Sequence, residues 1–281
     1  MSERFVIYGA NGYTGELAAR ESRRRGLAPV LAGRNAQAVA ALAGELGLEH
    51  AAFALDDPAA VEAGLRGAAA VLHCAGPFSH TAGPMAEACL RAGVHYLDVT
   101  GEIEVFEKLA ARDGEARSAG VMLLPGTGFD VVPSDCLAAH LKRRLPAAVQ
   151  LRLAFASRGG VSRGTATTAA ENIHRGGVVR KDGALTPVPT GWKTREVDFG
   201  EGLVRTAVTI PWGDIATAWR STGIPDIEVY MVVPPSARRA MKLVQYARPL
   251  LEIPYVRSTV RRLARRGAAG PDAEARARGW T

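Results

Sequence analysis

Three evenly spaced glycines near the N-terminus, Gly9, Gly12 and Gly15, constrain the fold of the 281-residue chain more than its other motifs do. A strand pattern precedes them at residues 4–8, and a helix pattern follows at 14–25. In this context Gly9 permits a tight turn, Gly12 lets the backbone approach a pyrophosphate, and Gly15 lets the helix pack closely on the strand. The helix N-terminus then offers N–H groups to the phosphates. We therefore predict a dinucleotide site that contains Gly9, Ala10, Asn11, Gly12, Tyr13, Thr14 and Gly15.

The rest of residues 1–130 alternates between strand and helix patterns. Further strands are predicted at 29–32, 51–55, 69–74, 95–99 and 121–124, and further helices at 36–46, 59–66, 82–92 and 104–118. The strand segments are apolar runs without polar alternation, which is typical of parallel strands that are covered on both faces. This order predicts an α/β fold, a Rossmann-type parallel sheet with helices on both faces.

Regular alternation ends near Asp130. Residues 131–281 combine predicted helices at 133–144, 165–174, 236–251 and 256–266 with predicted strands at 150–156, 203–210 and 227–233, while 176–202 indicates loops with a hairpin. We therefore predict two domains. A dinucleotide-binding domain covers 1–130, and a smaller α+β domain for substrate binding and dimerisation covers 131–281.

The end of the second strand bears on the choice of cofactor. An NAD site usually places a carboxylate there to accept from the ribose 2′-hydroxyl, but this strand ends in Gly33, Arg34 and Asn35. The Arg34 guanidinium suits a 2′-phosphate and Asn35 can add a hydrogen bond, so we predict NADP(H). The alternative is that Arg34 only caps or solvates the start of the next helix. Asp56, after the third strand, has two compatible roles: accepting from the adenine amino group, or capping the helix that follows.

Ligands of open α/β sheets bind at the carboxyl ends of the strands. The turn after the fourth strand is predicted to lie beneath the nicotinamide ribose; it contains Ala75, Gly76, Pro77 and Phe78. Asp98, Glu102 and Asp130 follow the next two strands and are candidate catalytic groups, for proton transfer or for binding an amine. Asp98 and Asp130 have an alternative role, which is to accept from backbone N–H groups in turns.

Other chemistries lack the residues they need. Tyr96 is followed four places later by Thr100, so the Tyr/Lys couple of short-chain dehydrogenases is not supported. The three cysteines have neither metal-site spacing nor a disulfide framework, and we predict no metal and a reducing, cytoplasmic location. His73 lies inside a strand and is interpreted as a packed side chain rather than a base.

Five ordered motifs resemble those of the saccharopine dehydrogenase-like oxidoreductases, a group that includes the trans-acting enoyl reductases of lipid biosynthesis. They lie at 8–15, 32–34, 74–78, 96–102 and 128–135. The resemblance implies an NADP-binding Rossmann domain followed by an α+β domain that forms the substrate cleft and often a dimer. It does not imply a saccharopine substrate, because the group is named after a distant member. Chains of this group generally continue further, so we expect this chain to be truncated at its C-terminus.

The net charge of +7 is concentrated towards the C-terminus. Between Ser236 and Ala268, nine basic side chains accompany a single acidic residue, Glu252. Residues 242–266 interleave arginines with apolar side chains, a pattern compatible with peripheral contact to an anionic membrane. The alternative is a pair of core-facing helices with solvated arginines. No recognised nucleic-acid-binding module accompanies the charge, so we predict no nucleic-acid partner.

Together these features predict an NADP(H)-dependent oxidoreductase. It would transfer hydride between nicotinamide and a C=C, C=O or C=N bond of a small-molecule substrate, which the enoyl reductase resemblance extends to lipid-linked substrates. We expect a homodimer in the cytoplasm, with membrane association through 242–266 as a further option. The alternative function is an NADP(H)-binding sensor or accessory protein without turnover, because the sequence does not identify a proton donor.

Overall fold

The computed structural model describes residues 4–156 and 176–241 of the chain. Two compact units make up the molecule, Met1–Val132 and Pro133–Thr281, with their boundary close to the predicted one at 130/131. The predicted helices at 165–174 and 256–266, most of the one at 236–251, and the basic segment 242–266 lie outside the described residues.

Six parallel strands form the sheet of the first unit. They are β1 (Phe5–Tyr8), β2 (Val30–Gly33), β3 (His50–Ala52), β4 (Ala70–His73), β5 (His95–Asp98) and β6 (Leu123–Leu124). Their order is β3-β2-β1-β4-β5-β6, and each neighbouring pair is parallel. The direction of winding reverses between β1 and β4, which opens a crevice at the carboxyl ends of these two strands. The predicted Rossmann-type sheet is thus confirmed.

Helices follow the strands of this sheet. They are α1 (Tyr13–Arg24), α2 (Ala36–Leu46), α3 (Pro58–Leu65), α4 (Phe78–Ala92), α5 (Ile103–Ala110) and α6 (Asp113–Ala119). Two differ from the prediction by more than a one-residue shift of their bounds. Helix α4 starts at Phe78 rather than at 82, and the helix predicted over 104–118 is divided into α5 and α6.

Both faces of the sheet are buried, which explains the apolar runs in the strands. Successive side chains of a strand point to opposite faces. Val6 and Val71 therefore pack in the cluster that contains Met85 of α4, whereas Ile7 and Leu31 pack with Val39 of α2 on the other face. Complete burial of a side chain of this size contributes about 1.5–3 kcal/mol, so the two layers hold the strand ends in place.

The second unit has the predicted α+β character. Its elements are α7 (Val132–Arg144), β7 (Gln150–Phe155), β8 (Gly177–Lys181), β9 (Ala184–Val188), β10 (Thr194–Asp198), β11 (Val204–Thr209), α8 (Asp214–Thr222) and β12 (Asp226–Val232). The sheet order is β10-β11-β12-β8-β9, and β7 pairs with β12 in parallel. Residues 176–202 hold three strands where loops with a hairpin were predicted, and α8 was not predicted. None of the described helices combines the length and apolar character that crossing a bilayer requires.

Candidate functional site

The glycines shape the turn between β1 and α1. Gly9 has a φ of +80°, and a Cβ there would lie 2.9 Å from both the backbone nitrogen and the Cβ of Ala75. A Cβ at Gly15 would lie 2.2 Å from the Gly9 carbonyl oxygen, so only glycine lets α1 approach β1 this closely. A Cβ at Gly12 would meet only that oxygen, at 3.2 Å, which leaves the outer side of the turn open.

No side chain caps the N-terminus of α1. The Gly9 N–H donates to the Ala32 carbonyl at 2.8 Å, and the Gly12 N–H donates to the Gly9 carbonyl at 2.9 Å. Gly12 is the N-cap and has no side chain to offer, whereas Asn35 caps α2 and Asp57 caps α3. Because the first N–H groups of a helix lack partners within it, this end of α1 suits an anion. The glycine turn therefore fits a pyrophosphate.

Gly33 and Arg34 lie at the end of β2, beside the glycine turn. Gly33 is buried, and a Cβ there would lie 3.1 Å from Val39 Cγ2 and 3.2 Å from Asn11 Oδ1. Arg34 is exposed. The space next to Gly33 is therefore shared with Asn11 of the glycine turn, and the Arg34 guanidinium faces solvent where a 2′-phosphate is predicted.

Asn35 is predicted to assist Arg34, and the structure shows a second role for it. Its Oδ1 accepts from the Ala38 N–H at 3.1 Å and so caps α2. If Asn35 also binds the cofactor, the donor is therefore its side-chain NH₂ group. This hydrogen bond stays a prediction.

Asp56 does not cap α3, so the capping alternative considered for it is wrong. The cap of α3 is its neighbour Asp57, whose Oδ1 accepts from the Ala60 N–H at 3.0 Å, because Pro58 occupies the first helical position and fixes the register. Asp56 is exposed. Burial raises the pKa of Tyr8, while the Arg34 charge lowers it and the Asp56 charge raises it. The adenine role of Asp56 stays a prediction.

Two side chains hold the turn after β4, at the crevice between β1 and β4. Glu102 accepts from the Phe78 N–H at 2.8 Å through Oε1 and from the Ser79 N–H at 2.9 Å through Oε2. The Thr81 hydroxyl donates to the Ala75 carbonyl at 2.7 Å. Thr81 was missed by the sequence analysis, since a threonine in an apolar helix gives no local signal of such a contact. These contacts explain why α4 starts at Phe78.

Asp98 connects the loops that follow β5 and β6. It is completely buried and accepts from the Tyr96 hydroxyl at 2.6 Å, the Thr100 N–H at 2.9 Å and the Gly126 N–H at 2.8 Å. Its backbone carbonyl accepts from the Thr127 N–H at 2.7 Å. Burial raises the pKa of Asp98, although its hydrogen bonds oppose the shift. The geometry favours the turn-forming alternative over a catalytic role.

Asp130 is the exposed member of the three candidate carboxylates. Its Oδ2 would lie 3.1 Å from a Cβ at Gly101, so it packs against the residue next to Glu102. Desolvation of its carboxyl raises the pKa of Asp130. The structure thus brings Asp98, Glu102 and Asp130 to neighbouring loops, and the role of Asp130 in proton transfer stays a prediction.

His73 is confirmed as a packed side chain. It is completely buried, and neither of its ring nitrogens has a hydrogen-bond partner. Its ring lies 5.5 Å from that of Tyr8, 5.4 Å from that of Phe78 and 6.1 Å from that of Tyr96, measured between centroids. Burial lowers the pKa of His73 to about 3, which keeps it neutral. Within 4–156 and 176–241 no group of three potential ligands could hold a metal.

Comparison with known proteins agrees with this geometry. Residues 5–124 match the family described as the saccharopine dehydrogenase NADP binding domain. The trans-acting enoyl reductase of Mycobacterium ulcerans is 32% identical over 153 residues, which cover 50% of this chain and 35% of that protein. The saccharopine dehydrogenase-like oxidoreductase of Homo sapiens is 28% identical over 160 residues, which cover 50% of this chain and 37% of that protein. The match thus spans little more than a third of each relative.

A solved structure shares the fold over a longer stretch. The apo saccharopine dehydrogenase (L-Glu forming) of Saccharomyces cerevisiae superposes with a TM-score of 0.62 at 14% identity, over 85% of this chain and 57% of that one. The glycine turn, the strand order and the family match all concern the same segment. Residues 5–124 are therefore similar to the saccharopine dehydrogenase NADP binding domain, and the cofactor of this domain is NADP(H).

Proposed function

We propose that the protein is an NADP(H)-dependent oxidoreductase that transfers hydride between nicotinamide and a C=C, C=O or C=N bond of a small-molecule substrate. One observation carries the proposal. The uncapped N-terminus of α1 and the exposed Arg34 lie at the carboxyl ends of the adjacent strands β1 and β2. This supports one candidate phosphate-binding group for the pyrophosphate of NADP(H) and one for its 2′-phosphate. The relatives named as oxidoreductases support the same reaction class.

Each part of the site has a task in this proposal. The glycine turn binds the pyrophosphate, Arg34 binds the 2′-phosphate, and Asp56 accepts from the adenine. The turn that starts at Ala75 supports the nicotinamide side, and Asp130 is the candidate for moving a proton. The bound nicotinamide supplies the hydride chemistry, while the protein orients the reactants and excludes water.

The substrate class follows from the relatives and stays a proposal. Trans-acting enoyl reductases among the relatives favour a C=C bond, and a lipid-linked substrate would suit contact of the basic segment 242–266 with an anionic membrane. Sedimentation with phosphatidylserine vesicles at low and high salt tests this contact. If the protein does not sediment with the vesicles at either salt concentration, the membrane contact is excluded. Light scattering of the purified chain tests the homodimer.

The alternative is an NADP(H)-binding sensor or accessory protein without turnover. Two of the three candidate acids support it, because the carboxylates of Asp98 and Glu102 are engaged by backbone N–H groups. Neither is therefore placed to move a proton without loosening a turn.

Calorimetric titration with NADPH and NADH, followed by NADPH oxidation with enoyl, imine and keto substrates, tests the proposal. We expect tight NADPH binding, weak NADH binding and oxidation stimulated by one substrate class. Tight NADPH binding without turnover on any class would favour the sensor. Binding of neither dinucleotide would contradict both functions for this chain.

A further inference from the structure

Glu102 forms a long-range contact that is unlike the other helix caps described. Asn35 and Asp57 cap their helices from the preceding residue, whereas Glu102 comes from the loop after β5 and reaches the start of α4. Each carboxylate oxygen accepts one backbone N–H, from Phe78 and from Ser79. A carboxylate at this end also opposes the positive end of the helix dipole. The N-terminus of α4 therefore already holds an anion, supplied by the protein itself.

The contact fixes the turn beside the cofactor crevice. The turn begins at Ala75, which lies so close to Gly9 that a Cβ on Gly9 would be 2.9 Å away. Thr81 holds the carbonyl side of this turn and Glu102 holds its N–H side. The position of the turn relative to the glycine turn therefore depends on both side chains.

Glu102 is itself anchored to the buried network of Asp98. The Glu102 N–H donates to the Thr100 hydroxyl at 3.1 Å, and the Thr100 N–H donates to Asp98. The loop after β5 is thus fixed to the end of its own strand before it reaches across to α4. A residue fixed at both its backbone and its carboxylate is suited to positioning and poorly suited to proton transfer.

We propose that Glu102 is a positioning residue: its carboxylate holds the turn between β4 and α4 in the shape that receives the nicotinamide half of NADP(H). The role rests on cofactor binding by this domain and is independent of turnover. It replaces the catalytic role predicted for Glu102 from the sequence.

Substitution Glu102→Gln tests the role with little change in size. Its amide NH₂ would face one of the two N–H donors, so one hydrogen bond is lost. We expect the exchange of the Phe78 and Ser79 amide hydrogens to accelerate and the Kd for NADPH to rise on the order of tenfold, which corresponds to about 1.4 kcal/mol. The Kd for adenosine 2′,5′-bisphosphate, which lacks the nicotinamide half, should change less than about twofold by the same arithmetic.

Two further variants keep the test decisive. Glu87→Gln is the control: it changes a surface carboxylate of α4 that pairs with Arg91 and Arg112. It should alter neither the Kd for NADPH nor the Kd for the bisphosphate. Glu102→Asp retains the charge and should restore part of the NADPH affinity; it also serves if the glutamine variant does not fold. Equal losses for NADPH and the bisphosphate, or normal NADPH binding by Glu102→Gln, would overturn the proposal. Neither result would contradict the proposed oxidoreductase function, which is tested separately by substrate-stimulated oxidation of NADPH.

Discussion

Gly15 of α1 lies so close to Gly9 at the end of β1 that a Cβ on Gly15 would be 2.2 Å from the Gly9 carbonyl oxygen. The obstacle is backbone, so α1 itself would have to move. We expect Gly15→Ala to lower the free energy of unfolding by about 1–3 kcal/mol, as in other overpacked sites, and to weaken NADPH binding because the start of α1 shifts. Urea unfolding and calorimetry measure the two effects.

Gly44→Ala is the matched control. Gly44 lies within α2, and a Cβ there would meet nothing within 4 Å. Alanine is favoured over glycine within a helix by about 0.5–1 kcal/mol, so this variant should be slightly more stable and bind NADPH normally. If Gly15→Ala is as stable as Gly44→Ala and binds NADPH as tightly, neither stability nor cofactor binding requires the close approach of α1 and β1.

We expect Arg34 to decide the preference between NADPH and NADH. Replacement by alanine should reduce the free energy of NADPH binding by about 1–3 kcal/mol, because a charged hydrogen-bond partner of the 2′-phosphate is lost. NADH has no such phosphate, so its binding should hardly change. Calorimetry of both cofactors measures the difference, with Arg117→Ala, an exposed arginine of α6 paired with Asp113, as control. Equal losses for NADPH and NADH would show that Arg34 does not bind the phosphate.

The sequence predicted well those elements whose ends are determined by residues at the ends themselves, such as a capping side chain or a terminating glycine. The bounds of α2 were predicted as the structure has them, because Asn35 caps the helix and Gly47 ends it in the left-handed conformation. The parallel direction of the strands in the first sheet followed from the alternation of strands and helices alone. The hairpin between β8 and β9 turns through Asp182 and Gly183, both with positive φ, and this Asp-Gly pair is a signal that the sequence does contain.

Other features depend on contacts between distant residues. Glu102 and Phe78 are 24 positions apart, and no spacing rule connects a carboxylate to the start of an earlier helix. Asp98 and Gly126 are 28 positions apart, so the choice between a catalytic and a turn-forming role needed the loop geometry. Strand β10 was missed because the exposed polar pattern of 194–198 weakens the strand signal.

Asp56 and Asp57 are adjacent and should behave differently. Asp57→Ala removes the cap of α3 and should lower the free energy of unfolding by about 0.5–2 kcal/mol. Asp56→Ala removes no cap and should leave stability within about 0.5 kcal/mol, as for a surface substitution, while it weakens NADPH binding. Urea unfolding and calorimetry on both variants separate the two effects. A stability loss for Asp56→Ala as large as that for Asp57→Ala would contradict the assignment of the cap.

His73 should make the folded state sensitive to acid. Its pKa is lowered by burial to about 3 in the folded protein, whereas an unfolded histidine titrates near 6.5. Its neutral form therefore contributes stability that is complete above about pH 6.5 and is lost as the pH falls from there towards 3. Between pH 7.5 and 5.0 this linkage lowers the free energy of unfolding by about 2 kcal/mol, which urea unfolding at the two pH values would measure.

His73→Phe isolates this contribution, because phenylalanine keeps the aromatic contacts with Tyr8, Phe78 and Tyr96 but does not titrate. Both nitrogens of His73 are buried without partners, so removing them should also leave stability at pH 7.5 unchanged or increase it. The exposed His80 supplies the control, since His80→Gln should retain the wild-type loss on acidification. If wild type and His73→Phe lose equal stability between pH 7.5 and 5.0, His73 is not the group that couples folding to acid, and its ring must reach a proton-accepting partner or solvent in the folded state.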